Sequence, residues 1–300
     1  MKIDEKYEGV FSLVMTPFLE DGAIDWRGYD ALVDWQLDRR PSGLFAVCGS
    51  SEMKWLTLQE RIDLASVAVK RAGDVPVIAT ANMEQDPSRH DDELKRIEGT
   101  GVAGIVLVPP LGLGKDQSQL QDYFARLADL ASCPVFLYEY PGSQPGTIEA
   151  WVYEQLVKRH NVHGIKDTTC TMEGILAKIN AAPEAIVYQA NAAFMLDALR
   201  QGCRGIMAIV SAGCSDIVID LWHQARQGDP AAEHTHRLLL YLDCALSTGY
   251  TATAKYLLKL QGLGIDIHTR SPGELKPHAA KSMEVWWDAY RQSSATKISS

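Results

Sequence analysis

The sequence predicts an α/β chain folded as a (β/α)8 TIM barrel with a C-terminal helical appendage, and three observations carry that expectation. Eight short apolar runs, continuous rather than alternating, are interleaved with eight amphipathic stretches, and continuous runs mark strands buried on both faces. The units recur at roughly 25 to 30 residues, enough for a strand, a helix and two short connections. Beyond Gly228 the strand pattern stops and only helix-like segments follow.

In order, the expected strand–helix units are Val10 to Met15 with Trp26 to Arg39, Gly43 to Val47 with Leu58 to Ala72, Val75 to Thr80 with Asp86 to Gly99, and Gly104 to Val108 with Gln117 to Ala131. They continue as Pro134 to Tyr138 with Ile148 to His160, Val162 to Lys166 with Met172 to Asn180, Ala185 to Gln189 with Ala192 to Gln201, and Arg204 to Ala208 with Asp216 to Gln227. Gly73, Gly101, Gly202 and Gly228 stand where helices should end. Residues 1–228 therefore read as the barrel and 229–300 as the helical appendage. The latter carries helices at Ala231 to Leu246, Ala252 to Leu260 and Lys276 to Gln292, then a frayed polar tail from Ser293 to Ser300. An open doubly wound sheet is the competing architecture.

With 300 residues, 46% hydrophobic and 22% charged, the composition is that of a globular enzyme. A net charge of −9, with no basic cluster beyond pairs such as Arg39-Arg40, argues against nucleic acid and anionic membranes as partners. No apolar run has the length of a membrane helix, and the opening MKIDEKYEGV lacks a signal-peptide core, so a cytoplasmic location is expected. Cys48, Cys133, Cys170, Cys203, Cys214 and Cys244 form no C-x-x-C pair and are expected as free thiols. His234 and His236, two apart on a helix start, cannot share a face, so no metal is expected.

A barrel of this kind carries its active site at the C-terminal ends of the strands. The positions there are Thr16-Pro17, Cys48 to Glu52, Asn82, Pro109-Pro110, Tyr138-Glu139-Tyr140, Lys166-Asp167-Thr168, Asn191 and Ser211. Lys166 is the most telling. It ends an apolar run and precedes the polar turn Asp167-Thr168-Thr169, so burial should lower its pKa and free the amine for attack on a ketone. A protonated imine with a 2-keto acid is an electron sink for breaking an adjacent bond. Tyr138, at the end of the neighbouring strand, is a suitable proton shuttle. The Gly49-Ser50-Ser51 turn supplies hydroxyls and N–H groups for a small carboxylate. Glu52 is expected to hold that turn through backbone donors. Glu139, Asn191 and Ser211 are candidates for binding substrate hydroxyls. Hydrolysis by Cys48 as a thiol nucleophile lacks a histidine at the strand ends.

Gly49-Ser50-Ser51-Glu52, Leu137-Tyr138 with Pro141, Gly164-Ile165-Lys166-Asp167 and Gly202-Cys203-Arg204-Gly205-Ile206 together resemble the motifs of the dihydrodipicolinate synthase and N-acetylneuraminate lyase superfamily of class I aldolases. The opening Thr16-Pro17-Phe18 with Asp21-Gly22 and Asp25, and the stretch Ala254 to Leu263, are similar to its first βα turn and its C-terminal helical segment. The resemblance implies the same barrel, a homotetramer and no cofactor. It also implies Lys166 as the Schiff-base lysine, Tyr138 as the proton-transfer residue, Ser50 and Ser51 as the 2-keto-acid carboxylate binders, and Met207 as a residue whose carbonyl lies near the lysine.

Departures from the family pattern bear on the substrate. The threonine that normally links to the tyrosine is Gly49. Where lysine-biosynthetic members carry a second strand-4 tyrosine, this chain has Pro109-Pro110-Leu111, and the position of their dicarboxylate-binding arginine is Ser143. Dihydrodipicolinate synthesis is therefore not expected. The expected activity is retro-aldol cleavage of a 2-keto-3-deoxy sugar acid to pyruvate and an aldehyde. Dehydration of such an acid, and a catalytically silent barrel that only binds a small molecule, are the alternatives.

Overall fold

The computed structural model describes residues 4–298, with the side chains of 293–298 left aside. Eight parallel strands, β1 (Gly9–Leu13), β2 (Gly43–Val47), β3 (Val77–Thr80), β4 (Gly104–Leu107), β5 (Val135–Tyr138), β6 (Val162–Asp167), β7 (Ile186–Gln189) and β8 (Gly205–Ile206), pair in sequence order. Pairing of β8 with β1, through Gly9–Gly205 and Val10–Ile206, closes the sheet and excludes the open doubly wound alternative.

Helices α1 (Trp26–Leu37), α2 (Leu58–Ala72), α3 (His90–Glu98), α4 (Gln117–Leu130), α5 (Ala150–Arg159), α6 (Met172–Ala181) and α7 (Met195–Arg200) each follow a strand. A four-residue α8 (Val210–Gly213), not foreseen from sequence, precedes α9 (Ser215–Gln227). Starts follow local chemistry. Asp25 accepts the Gly28 N–H at 2.9 Å to cap α1, and Thr57 and Glu60 form a reciprocal capping box on α2. Gly73 and Gly228 close α2 and α9 at positive φ.

Aromatic rings from alternate strands fill the barrel floor, with Phe11 and Phe136 packed edge-on against Tyr188 at 5.7 and 5.9 Å. Glycines make room for them. A Cβ on Gly43 would stand 2.2 Å from the Phe11 ring, and one on Gly205 2.2 Å from that of Tyr188. The 3-10 turn Glu5–Tyr7 covers the floor, its Tyr7 ring 5.2 Å from Phe136.

After α9 come α10 (Ala231–Leu246), α11 (Ala252–Leu260) and α12 (Pro277–Ile298), with α12 packed on both α10 and α11. The last helix runs on through 293–298, where a frayed tail is expected from sequence; residues 299–300 lie outside the described part. Strand 8 is shorter than expected because the chain turns into α8 soon after Ile206.

Candidate active site

Tyr138 and Lys166 end neighbouring strands and are partners in the β5–β6 register, so their side chains enter the lumen side by side. The Lys166 Nζ lies 4.1 Å from the centroid of the Tyr138 ring and 5.6 Å from that of Phe45. Three lysines are buried among the described residues. Lys178 pairs with Asp167 at 2.7 Å and Glu139 at 3.0 Å, and Lys255 pairs with Glu52 at 2.7 Å. Lys166 alone has aromatic faces in place of a carboxylate. Burial lowers its pKa to about 8, with Cys48 pulling slightly the other way. Burial also pushes the Tyr138 phenol well above its ordinary value, so it rests protonated.

Ser50 is buried in the turn after β2, next to Gly49, the residue of that turn that faces the Tyr138 hydroxyl. The Ser50 Oγ accepts from the Tyr250 hydroxyl at 2.5 Å, a residue from the connection between α10 and α11. Sequence reasoning missed Tyr250 because nothing local marks a tyrosine there as facing a strand end two hundred residues earlier. Gly49 leaves space. A Cβ there would sit 3.3 Å from the Tyr138 hydroxyl and 3.7 Å from the Tyr140 ring, so the absent side chain opens room beside the phenol.

The side chains of Ser51, Glu139 and Ser211 are engaged in the frame around the site. Ser51 Oγ donates toward the carbonyls of Val14 at 2.6 Å and Ala46 at 2.8 Å and accepts from the Cys48 N–H at 3.0 Å, which spends its hydroxyl on the turn. Glu139 faces the helix layer because side chains alternate along β5. Its carboxylate takes Lys178, the Ile148 N–H at 2.8 Å and the Thr168 N–H at 2.9 Å. Ser211, fully buried in α8, donates to the Ala208 carbonyl at 2.7 Å and accepts from the Leu13 N–H at 3.3 Å. None of these three side chains is brought to the Lys166 amine. The Asn191 N–H donates to Gln189 Oε1 at 2.6 Å while its Nδ2 is buried without a hydrogen-bond partner. Met207 follows β8, its N–H bonded to the Gln189 carbonyl at 3.0 Å.

Glu52 anchors the Gly49–Ser51 turn to the C-terminal segment. One carboxylate oxygen accepts from Thr251 Oγ1 at 3.1 Å and from Lys255 Nζ, the other from the N–H groups of Arg270 at 2.8 Å and Ser271 at 2.6 Å. Backbone donors were expected for Glu52; their origin in the appendage was not. Among the described residues no group of three or more His, Cys, Asp and Glu side chains could hold a metal ion, and no helix is long and apolar enough to cross a membrane.

A closed (β/α)8 barrel with an unpaired buried lysine at the top of its sixth strand defines the structural class. Residues 6–284 match the Dihydrodipicolinate synthetase family, and the chain belongs to it. It is an enzyme of the class I aldolase and lyase kind. The chain is 27% identical over 266 residues to N-acetylneuraminate lyase of Rhizobium meliloti, covering 86% of this chain and 87% of that protein. It is 26% identical over 281 residues to the probable 2-dehydro-3-deoxy-D-pentonate aldolase YjhH of Escherichia coli, covering 89% and 92%. It is 28% identical over 235 residues to 4-hydroxy-tetrahydrodipicolinate synthase of Oceanobacillus iheyensis, covering 77% and 79%. Among solved structures, YagE of Escherichia coli, a prophage protein of the dihydrodipicolinic acid synthase family in complex with pyruvate, superposes with a TM-score of 0.89 at 22% identity, over 95% of this chain and 99% of that one.

Proposed function

We propose that the protein cleaves a 2-keto-3-deoxy sugar acid to pyruvate and an aldehyde, with Lys166 as the Schiff-base nucleophile, Tyr138 as the proton shuttle and Ser50 as a binder of the substrate carboxylate. The observation that carries this reading is the contrast among the three lysines buried among the described residues, of which Lys166 alone lacks a carboxylate. With a pKa of about 8, roughly one Lys166 amine in ten is free at pH 7, against about one in three thousand for an ordinary lysine.

The free amine adds to the C2 ketone, and proton transfers through Tyr138 convert the carbinolamine hydroxyl into departing water, leaving a protonated imine. Loss of the C4 hydroxyl proton then makes the aldehyde. The C3–C4 electron pair flows into the imine as an enamine, C3 takes a proton, and water returns pyruvate and the free lysine. Having given its proton to the departing water, Tyr138 is left as a phenolate that the positive imine beside it stabilises, and this phenolate takes the C4 hydroxyl proton and later returns it to C3.

Sugar-acid cleavage is favoured over dipicolinate synthesis by Leu111 and Ser143, which replace a phenol and an arginine. The similarity to N-acetylneuraminate lyase and to the probable pentonate aldolase supports the same branch. Assembly as a homotetramer in the cytoplasm belongs to this proposal. The test is a screen of 2-keto-3-deoxy sugar acids for released pyruvate, with Lys166→Ala beside the parent. Release that survives Lys166→Ala overturns the reading; loss of water without pyruvate would assign dehydration instead.

A further inference from the structure

The Gly49–Glu52 turn and the Tyr250–Lys255 stretch are joined at successive points. Ser50 meets Tyr250, while Glu52 meets Thr251 and Lys255 and, further along, the backbone of Arg270 and Ser271. The four contacts to Glu52 already fasten the appendage to the barrel, so the 2.5 Å bond between Tyr250 and Ser50 is a separate link, directed at the one hydroxyl of the turn that Ser51 and Gly49 do not supply. A serine hydroxyl has one proton and two lone pairs. Donation from Tyr250 fills a lone pair and leaves the Ser50 proton to be given away, and its polarisation strengthens that second bond. Burial raises the Tyr250 pKa, which keeps the phenol a donor.

We propose that Tyr250 is a positioning residue that aims the Ser50 hydroxyl at the carboxylate of the 2-keto acid, so that the C-terminal appendage completes the substrate site. The inference rests on the reading of Lys166 as the imine-forming residue. It gives Tyr250 no contact with the reacting carbons.

The experiment uses the full chain and reductive trapping with borohydride, comparing pyruvate with its uncharged analogue pyruvamide. In Tyr250→Phe, which keeps the ring, the pyruvate concentration for half-maximal trapping should rise roughly three- to tenfold, the worth of one neutral hydrogen bond. That for pyruvamide should stay unchanged. Ser50→Ala should show the same selectivity for pyruvate, and Tyr250→Phe should add nothing in the Ser50→Ala background, since the two act as one unit. An equal loss for both ketones, no loss, or additive losses overturns the role of Tyr250 while trapping by the parent still upholds Lys166. A parent that traps neither ketone overturns the reading of Lys166 and this inference with it.

Discussion

The Lys166 amine stands 4.1 Å over the Tyr138 ring, in register with it on adjacent strands and without a carboxylate to hold its proton. Its pKa of about 8 sets the first prediction. The rate of imine formation with pyruvate should climb about tenfold per pH unit below that value and level off above it, because only the free amine attacks. Trapping rates across that range give the profile. A rate independent of pH between 6 and 9 would mean that another group supplies the nucleophile.

Lys166→Met should stabilise the fold. The folded-state pKa lies below the ordinary 10.5, so the unfolded chain binds more protons between about 8 and 10.5. The parent is accordingly penalised in full below about 8 and recovers as pH rises through that window. At pH 7 the variant should gain on the order of 2 to 3 kcal/mol in urea unfolding, a gain that fades by pH 10.5. An unchanged midpoint at pH 7 would show that the charged amine is well accommodated after all.

Tyr138→Phe should slow turnover by about two to four orders of magnitude, while Lys166 still traps pyruvate to a similar final extent, only more slowly. The phenol has the space beside Gly49 in which to meet substrate, and the ring itself, which packs against Phe45 at 6.3 Å, is preserved. Steady-state rates beside trapped mass separate the two effects.

Glu52→Gln should destabilise the protein by about 3 to 5 kcal/mol, since it strands the fully buried Lys255 without its counter-charge. Adding Lys255→Met should recover part of the loss. Chemical denaturation of the single and double variants measures both, and a double variant no better than Glu52→Gln would place the loss in the backbone contacts to Arg270 and Ser271 instead.

Condensation of pyruvate with aspartate semialdehyde should be negligible. Leu111, 78% exposed, has no phenol to offer, and Ser143 cannot give a dicarboxylate the charge-assisted contact of an arginine. Losing that charge-assisted contact costs about 1.5 to 3 kcal/mol, roughly ten- to more than a hundredfold. A coupled reductase assay beside a lysine-biosynthetic enzyme checks it; comparable rates would put the chain in the other branch.

Much of the barrel was legible because most of its strands are short, largely apolar runs recurring between amphipathic helices, the pattern of parallel strands covered on both faces. The strand ends then located Lys166 and Tyr138 by position. Glu139 illustrates the limit. Its place at the top of β5 made it a candidate, yet side-chain alternation turns it to Lys178 of α6, eleven residues past Asp167.

Sequence by itself determined the eight strand–helix units and placed a lysine and a tyrosine at the ends of neighbouring strands, because hydrophobic periodicity and local turn chemistry act over a few residues; closure of the sheet into a barrel rests on the β8–β1 pairing. Which lysine stays unpaired, which serine keeps a free proton, and that Tyr250 stands over Ser50 were decided only by the closed tertiary structure. Those relations depend on charges and hydroxyls brought together across two hundred residues of chain, and no local pattern encodes such a distance.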